Sequence, residues 1–201
     1  MILIYHKLTK WTIIILILFY ATSLWGSIGN VDQVEGNGVI ERNKEDTTIE
    51  EELSIEQYDT VKTGNGKVGI LFIDDTRVDV TQHSKLIIDE FVFDPNTNTG
   101  KLSLKAALGT VRYASGQIAK NSRQDVKITT PTATIGVRGT DFSMTIDELG
   151  GSTIILLPSC DVNGNCFVGE ISVETDAGQI ILNQAFQATQ VSVPESPPTP
   201  P

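Results

Sequence analysis

Two cysteines and two histidines are the only thiol and imidazole groups in this chain of 201 residues. Cys160 and Cys166, with no further cysteine and no histidine nearby, cannot complete a tetrahedral metal site. His6 precedes an apolar N-terminal run, and His83 sits in the polar stretch Thr81-Gln82-His83-Ser84. No serine or cysteine in a nucleophile context accompanies His83, so it reads as a surface turn residue rather than a general base. Basic residues are also scarce, 15 against 25 acidic ones. Loss of the first 26 residues would remove Lys7 and Lys10 but no acid. Nucleic acid and anionic lipid surfaces are therefore not expected as partners. No helical stripe of apolar residues follows the N-terminus, which argues against an α-helical fold.

The one long apolar run, Thr12 to Tyr20, follows His6, Lys7 and Lys10 and precedes small residues around Ser23 to Ser27. This is the layout of a secretory signal over residues 1–26, cleaved near Gly26. The run reaches Trp25 at most, short of the ~20 residues that cross a bilayer, so membrane attachment is expected only if the signal stays uncleaved. No cysteine occupies a lipobox position, so no lipid anchor is expected. The expected location is periplasmic or secreted. In such a compartment Cys160 and Cys166, with Asn163-Gly164 between them, are expected to form a disulfide that staples a hairpin. The apolar runs Thr153 to Leu157 and Phe167 to Val173 are its expected arms.

The remainder reads as short strands between turn signals. The expectation is one all-β domain over 27–193, β-solenoid-like or sandwich-like, with a disordered proline-rich tail at 194–201. Asn37-Gly38 and Asn65-Gly66 read as turns like Asn163-Gly164, because Asn and Gly both tolerate positive φ. The acidic stretch Glu41 to Glu56 is open between a short exposed helix and a loop.

The most informative segment is Thr130 to Phe142, TPTATIGVRGTDF. Pro131 belongs at a strand start or edge, because it lacks an N–H and fixes φ. Ala133, Ile135 and Val137 alternate with Thr134, Gly136 and Arg138, giving one apolar and one polar face. Gly136 and Gly139 permit bends or close backbone approach, and Arg138 and Asp141 are close enough along the chain to pair across a turn. The segment thus reads as a cornered β-structure clamped by charge, with Pro131, Gly136, Arg138, Gly139 and Asp141 as its structural motif.

Other candidate chemistry is weak. Asp74-Asp75 and Asp89-Glu90 would point to opposite faces in strands, so neither forms an acid/base dyad. Asp94, Asn96 and Asn98, and likewise Asp161, Asn163 and Asn165, have the alternate-oxygen spacing of a calcium loop. Both sets lack the glycine at the sixth position and the distant glutamate, and read as polar turns. Arg112 and Tyr113 could anchor a surface contact or cover a strand edge. No catalytic residue, metal or cofactor is expected.

The segment from Thr130 to Phe142 resembles the signature of the FecR domain family, extracytoplasmic modules named for iron-dicitrate sensors. VDQVEGNGVIER from Val31, the stretch from Asp59 to Ile88, and GTVRYASGQ from Gly109 resemble the strands leading up to it. The resemblance covers roughly Val31 to Val193. It implies a non-enzymatic, all-β, extracytoplasmic module with a solenoid-like winding, and the leading expectation is a binding or structural module of the cell envelope that recognises an envelope protein or a glycan. Sensors of this family place an anti-sigma domain before a membrane helix and often a receptor-docking subdomain after the signature. Only about a dozen residues precede the apolar run here, and a short proline-rich stretch follows Val193. Direct contact with a sigma factor is therefore not expected; a sensory role with a separate partner is the alternative, and a carbohydrate-active enzyme on a β-helix a more remote one.

Overall fold

A computed structural model describes residues 26–122, 125–161 and 163–201, so all of the expected signal except Gly26 lies outside the described residues. The chain forms β1 (Gly29–Arg42), β2 (Glu45–Thr48), β3 (Ser54–Ile55), β4 (Thr60–Phe72), β5 (Arg77–Val80), β6 (Lys85–Asp94) and β7 (Thr99–Ala114). A short helix, α1 (Gln117–Asn121), comes next. There follow β8 (Val126–Thr129), β9 (Thr134–Arg138), β10 (Asp141–Ile146), β11 (Ser152–Leu157), β12 (Ser159–Cys160), β13 (Cys166–Phe167), β14 (Glu170–Thr175), β15 (Gly178–Leu182) and β16 (Ala188–Val191). The all-β expectation holds, and α1 is a five-residue exception.

The long strands β1, β4 and β7 each serve two runs of strands. One run reads β2-β1-β4-β6-β7-β8-β9-β14-β15, through residues 38–42 of β1, 60–63 of β4 and 99–108 of β7. The other reads β3-β1-β4-β5-β7-β10-β11-β16, through 29–36 of β1, 66–72 of β4 and 109–114 of β7. Apolar side chains of both runs merge in one core; Phe72 of the second run stacks on Phe91 of the first at 5.3 Å. Alternation supplies that core, as in β9, where Ile135 and Val137 are fully buried. In β6 a bulge between Ile88 and Glu90 resets the alternation, so that Ile88 and Phe91 both face inward.

Passing between runs requires sharp bends, and glycine occupies each of them. Gly36 of β1 faces Gly66 of β4, at φ 81° and 122°, and a Cβ on either would lie 1.8 Å from the opposite strand's carbonyl oxygen. The expected turns at Asn37-Gly38 and Asn65-Gly66 are therefore not hairpin turns. The two dipeptides lie side by side inside paired strands, where the Asn65 N–H donates to Asn37 Oδ1 at 2.9 Å. In β7 the bend is at Gly109, φ 80°, where a Cβ would stand 2.1 Å from Ser84 Oγ.

Buried polar groups fasten the turns. Asp74, fully buried at the β4–β5 turn, accepts from Thr76 Oγ1 at 2.8 Å and from the Ile118 N–H at 3.3 Å, so it holds the start of α1. Asp59, also fully buried, is bound by the Arg42 Nε and Nη2 at 2.8 Å each, while Arg42 Nη1 reaches Glu56 at 2.7 Å. These contacts raise the Arg42 pKa, Asp59 foremost. The stretch Glu41 to Glu56 accordingly forms β2 and β3 with a turn between them, not a helix. The end of the chain also departs from the expectation of a solvated tail. The Thr199 N–H donates to the Gln190 carbonyl at 3.0 Å, the Thr189 hydroxyl donates to the Thr199 carbonyl at 2.7 Å, and Pro198 is buried. Among the described residues no helix is long and apolar enough to cross a membrane.

Gly109→Ala should combine left-handed strain with a clash against Ser84, a loss of about 2–5 kcal/mol in chemical denaturation. A second expectation concerns Tyr113, fully buried against Phe142 with ring centroids 5.3 Å apart. Its hydroxyl lies beside Thr76 and Ser115 without a hydrogen bond of good geometry, and burial raises its pKa. A raised phenol pKa keeps the proton on the folded chain while the unfolded chain loses it, so stability should fall above about pH 10. Tyr113→Phe should remove that part of the alkaline slope and cost less than about 1 kcal/mol at neutral pH, as read from denaturation curves across pH.

Candidate functional site

The signature segment divides its side chains between core and surface. Ala133, Ile135, Val137 and Phe142 face inward and are buried. The outward positions join those of neighbouring strands in rows. Lys127 of β8, Gly136 of β9, Ser172 of β14 and Ile181 of β15 are in register. Thr129, Thr134, Glu174 and Gln179 form the next row, and Arg138 stands opposite Glu170.

Two depressions mark this face. One, of about 200 Å³, is lined by Gly136, Arg138, Glu170, Ser172, Gln179 and Ile181. Gly136 makes room for it: a Cβ there would lie 2.7 Å from Ser172 Oγ. The glycine in mid-strand thus serves space rather than a bend, whereas Gly139 takes a left-handed φ of 58° in the turn between β9 and β10. The second depression, of about 340 Å³, lies beside the exposed Pro131 in the β8–β9 turn and is bounded by Lys127, Glu174, Asp176 and Pro194. Hydroxyls line its inner side. The Ser152 hydroxyl bonds to those of Thr130 and Thr132 at 2.7 Å each, and Thr132 reaches the Val191 carbonyl at 3.2 Å.

The expected clamp between Arg138 and Asp141 is absent. Arg138 Nη1 binds Glu170 at 2.8 Å, with both side chains partly exposed at 45% and 30%. Asp141 is nearly buried; it accepts from Ser159 Oγ at 2.6 Å and lies 3.7 Å from Arg112 Nη2. The physical reason is the β9–β14 register, which puts Glu170 directly across from Arg138, while Asp141 opens the next strand, in the other run. Tyr113 is a core residue and no surface anchor, whereas Arg112 is half exposed.

Cys160 and Cys166 form the expected disulfide. Its hairpin is shorter than expected, with β12 and β13 as arms. β11 pairs with β10 and β16, and β14 with β9 and β15, so neither of the expected longer arms pairs with the other. Asp141, through Ser159, ties this hairpin to the signature.

The remaining candidates are consumed locally. Asp94 accepts from the Asn96 N–H at 2.9 Å, and Asp161 from the Asn163 and Asn165 N–H groups at 2.9 Å each. These bonds lower both carboxyl pKa values, Asp94 chiefly through the Asn96 N–H and Asp161 chiefly through the Asn165 side chain. Asp89 and Glu90 pair across to Lys105 and Lys101 of β7, at 2.5 and 2.8 Å. His83 is exposed in the β5–β6 turn at φ 54°. Sequence reasoning did not reach Lys127, Glu170, Ser172, Glu174 or Ile181. Their alternation with buried neighbours in β8, β14 and β15 showed that they face outward, but only the register shows which strands they lie beside.

The sequence profile of the family described as FecR protein matches residues 59–162. Two crystal structures of a presumed anti-sigma factor from Parabacteroides distasonis, at 2.50 and 1.65 Å resolution, share the fold. The first has a TM-score of 0.53 at 11% identity, and the second 0.51 at 9%. In each case the similarity covers 70% of this chain and 57% of the other, so the chain spans little more than half the length of these relatives. No curated protein matches it.

The observed partners predict unequal losses. Arg138→Ala removes a surface pair and should cost at most about 1 kcal/mol. Asp141→Ala leaves the Ser159 hydroxyl without its acceptor and should cost about 1–3 kcal/mol. Because the two side chains bind different groups, the double variant should lose the sum to within about 0.5 kcal/mol in a denaturation cycle.

Proposed function

Because the chain belongs to the FecR protein family, we propose that it is a non-enzymatic binding module of an envelope signalling system, held on the extracytoplasmic side of the membrane. The observation that carries this reading is the division of labour in the signature. Its inward residues belong to the core, and its outward residues build a surface with two depressions on a rigid sheet. A rigid, exposed and sculpted face is suited to recognition. The acid pairs and oxygen-rich loops elsewhere in the chain are engaged locally: Asp89 and Glu90 in ion pairs, Asp94 and Asp161 in turn hydrogen bonds. The Cys160–Cys166 bond supports a periplasmic or secreted location, where such bonds persist. The presumed anti-sigma role of the structural relatives supports a signalling context, in which this chain acts through a partner.

A protein partner is the first reading. The larger depression, with threonine hydroxyls, Lys127, Glu174 and Asp176, favours a small glycan as the second. Affinity capture from envelope extracts, using the oxidised protein as bait, tests the proposal. The expected result is an envelope protein that is lost when Gly136→Leu fills the smaller depression and Thr134→Arg crowds the face, with melting temperatures unchanged. Capture of cytoplasmic proteins alone, or an envelope partner retained by both variants, would overturn it.

A further inference from the structure

Strand edges expose unpaired N–H and C=O groups, and folded proteins usually blunt them. β2 is short and carries Glu45 and Asp46, and β16 is covered by Thr199 from the proline-rich end. β15 has neither device. Among the described residues it pairs only with β14, and its sequence Gly-Gln-Ile-Ile-Leu holds no charge and no proline. The outward-facing Ile181 is 43% exposed, and Ile180, on the core side, is only partly buried, so the core is open at this edge.

Charge narrows the choice of occupant. Residues 177–194 contain no charged side chain, in a chain of net charge −10. Two copies of so acidic a protein repel over most of their surfaces and can approach along this neutral seam. The register fits as well. An antiparallel pairing of two β15 strands about a twofold axis at Ile181 places Ile181 against its own copy on the outer face. On the inner face it sets Ile180 against Leu182 and on the outer one Gln179 against Asn183, whose N–H is held by Gln187 Oε1 at 2.9 Å and has to be released to close that rung. The half-covered Ile180 would gain Leu182 of the second copy as a lid.

We propose that β15 is a self-association edge, through which two copies of this chain join their sheets in antiparallel register centred on Ile181. The proposal goes beyond the functional reading above and is independent of it. Alternate residues of β15 direct N–H and C=O groups away from β14, which gives the second copy a ladder to bond. The outer-face depression at Gly136 and Ile181 would then lie close to the twofold axis in duplicate.

Sedimentation analysis of the oxidised protein across a concentration series tests this directly. A concentration-dependent dimer is expected. Ile181→Lys, which sets two like charges opposite each other at an exposed position, should weaken it about tenfold or more without changing the melting temperature. In a paired background Ile181→Cys should also form an intermolecular disulfide on mild oxidation, since directly opposed residues have Cα atoms about 4.5–5.5 Å apart, whereas Asp147→Cys should not. A monomer at all concentrations, or a dimer indifferent to Ile181→Lys that fails to cross-link at 181, would overturn the proposal.

Discussion

Three strands in this protein must each take part in two runs of a folded sheet, and they turn the corner only where no Cβ stands in the way. Gly36 against Gly66 and Gly109 against Ser84 are the points at which backbone meets backbone or side chain at distances no other residue allows. Because β1, β4 and β7 bend there, apolar side chains from both runs share one core, and the Phe72–Phe91 stack becomes possible. The arrangement concentrates strain-sensitive positions in a few glycines and leaves most outward-facing positions free of structural duty.

The polar interior follows the same logic. Asp74 and Asp59 are fully buried carboxylates, yet each is bonded to the turn or strand end it fastens, and Arg42 is bound by two carboxylates and by the Ser54 carbonyl. Buried charges of this kind fix geometry more than they add net stability, because desolvation offsets much of their attraction. The signature extends the principle: Asp141 bonds Ser159 at the base of the disulfide hairpin, and Thr140 bonds the Ser115 hydroxyl and the Leu157 carbonyl. It is a junction between β9, β10 and the hairpin, with the outward face of β9 left exposed.

β14, β15 and β16 lie beyond the residues that match the family profile, yet β14 hydrogen-bonds to the signature strand β9 and contributes Glu170 and Ser172 to the exposed face. The exposed face is therefore shared between family-typical strands and the segment that follows them. This explains why the reading from the signature alone gave Arg138 the wrong counterpart: an acid three residues away was visible along the chain, whereas Glu170, thirty-two positions on, became a neighbour only through the β9–β14 ladder.

Alternation within each strand is a local property, dictated by the two-residue period of extended backbone. It was enough to establish from sequence the all-β class and the inward Ala133, Ile135 and Val137, while the polar turns at Asp94 and Asp161 and the bond between Cys160 and Cys166 were legible from turn residues and the cysteine count. The two internal Asn-Gly pairs show where local reasoning stops. Of their four residues only Gly66 takes a positive φ, and the facing bend falls at Gly36, just before its dipeptide; whether such a residue closes a hairpin or bends a continuous strand depends on the partner strand. Gly36 and Gly66, thirty positions apart, decide that for each other. Ion-pair partners, the outer rows of the signature face, the docking of the proline-rich end and the open edge of β15 all rest on such long-range register. Tertiary structure alone could set them, since register is fixed by the packing of the whole core rather than by any one segment of the chain.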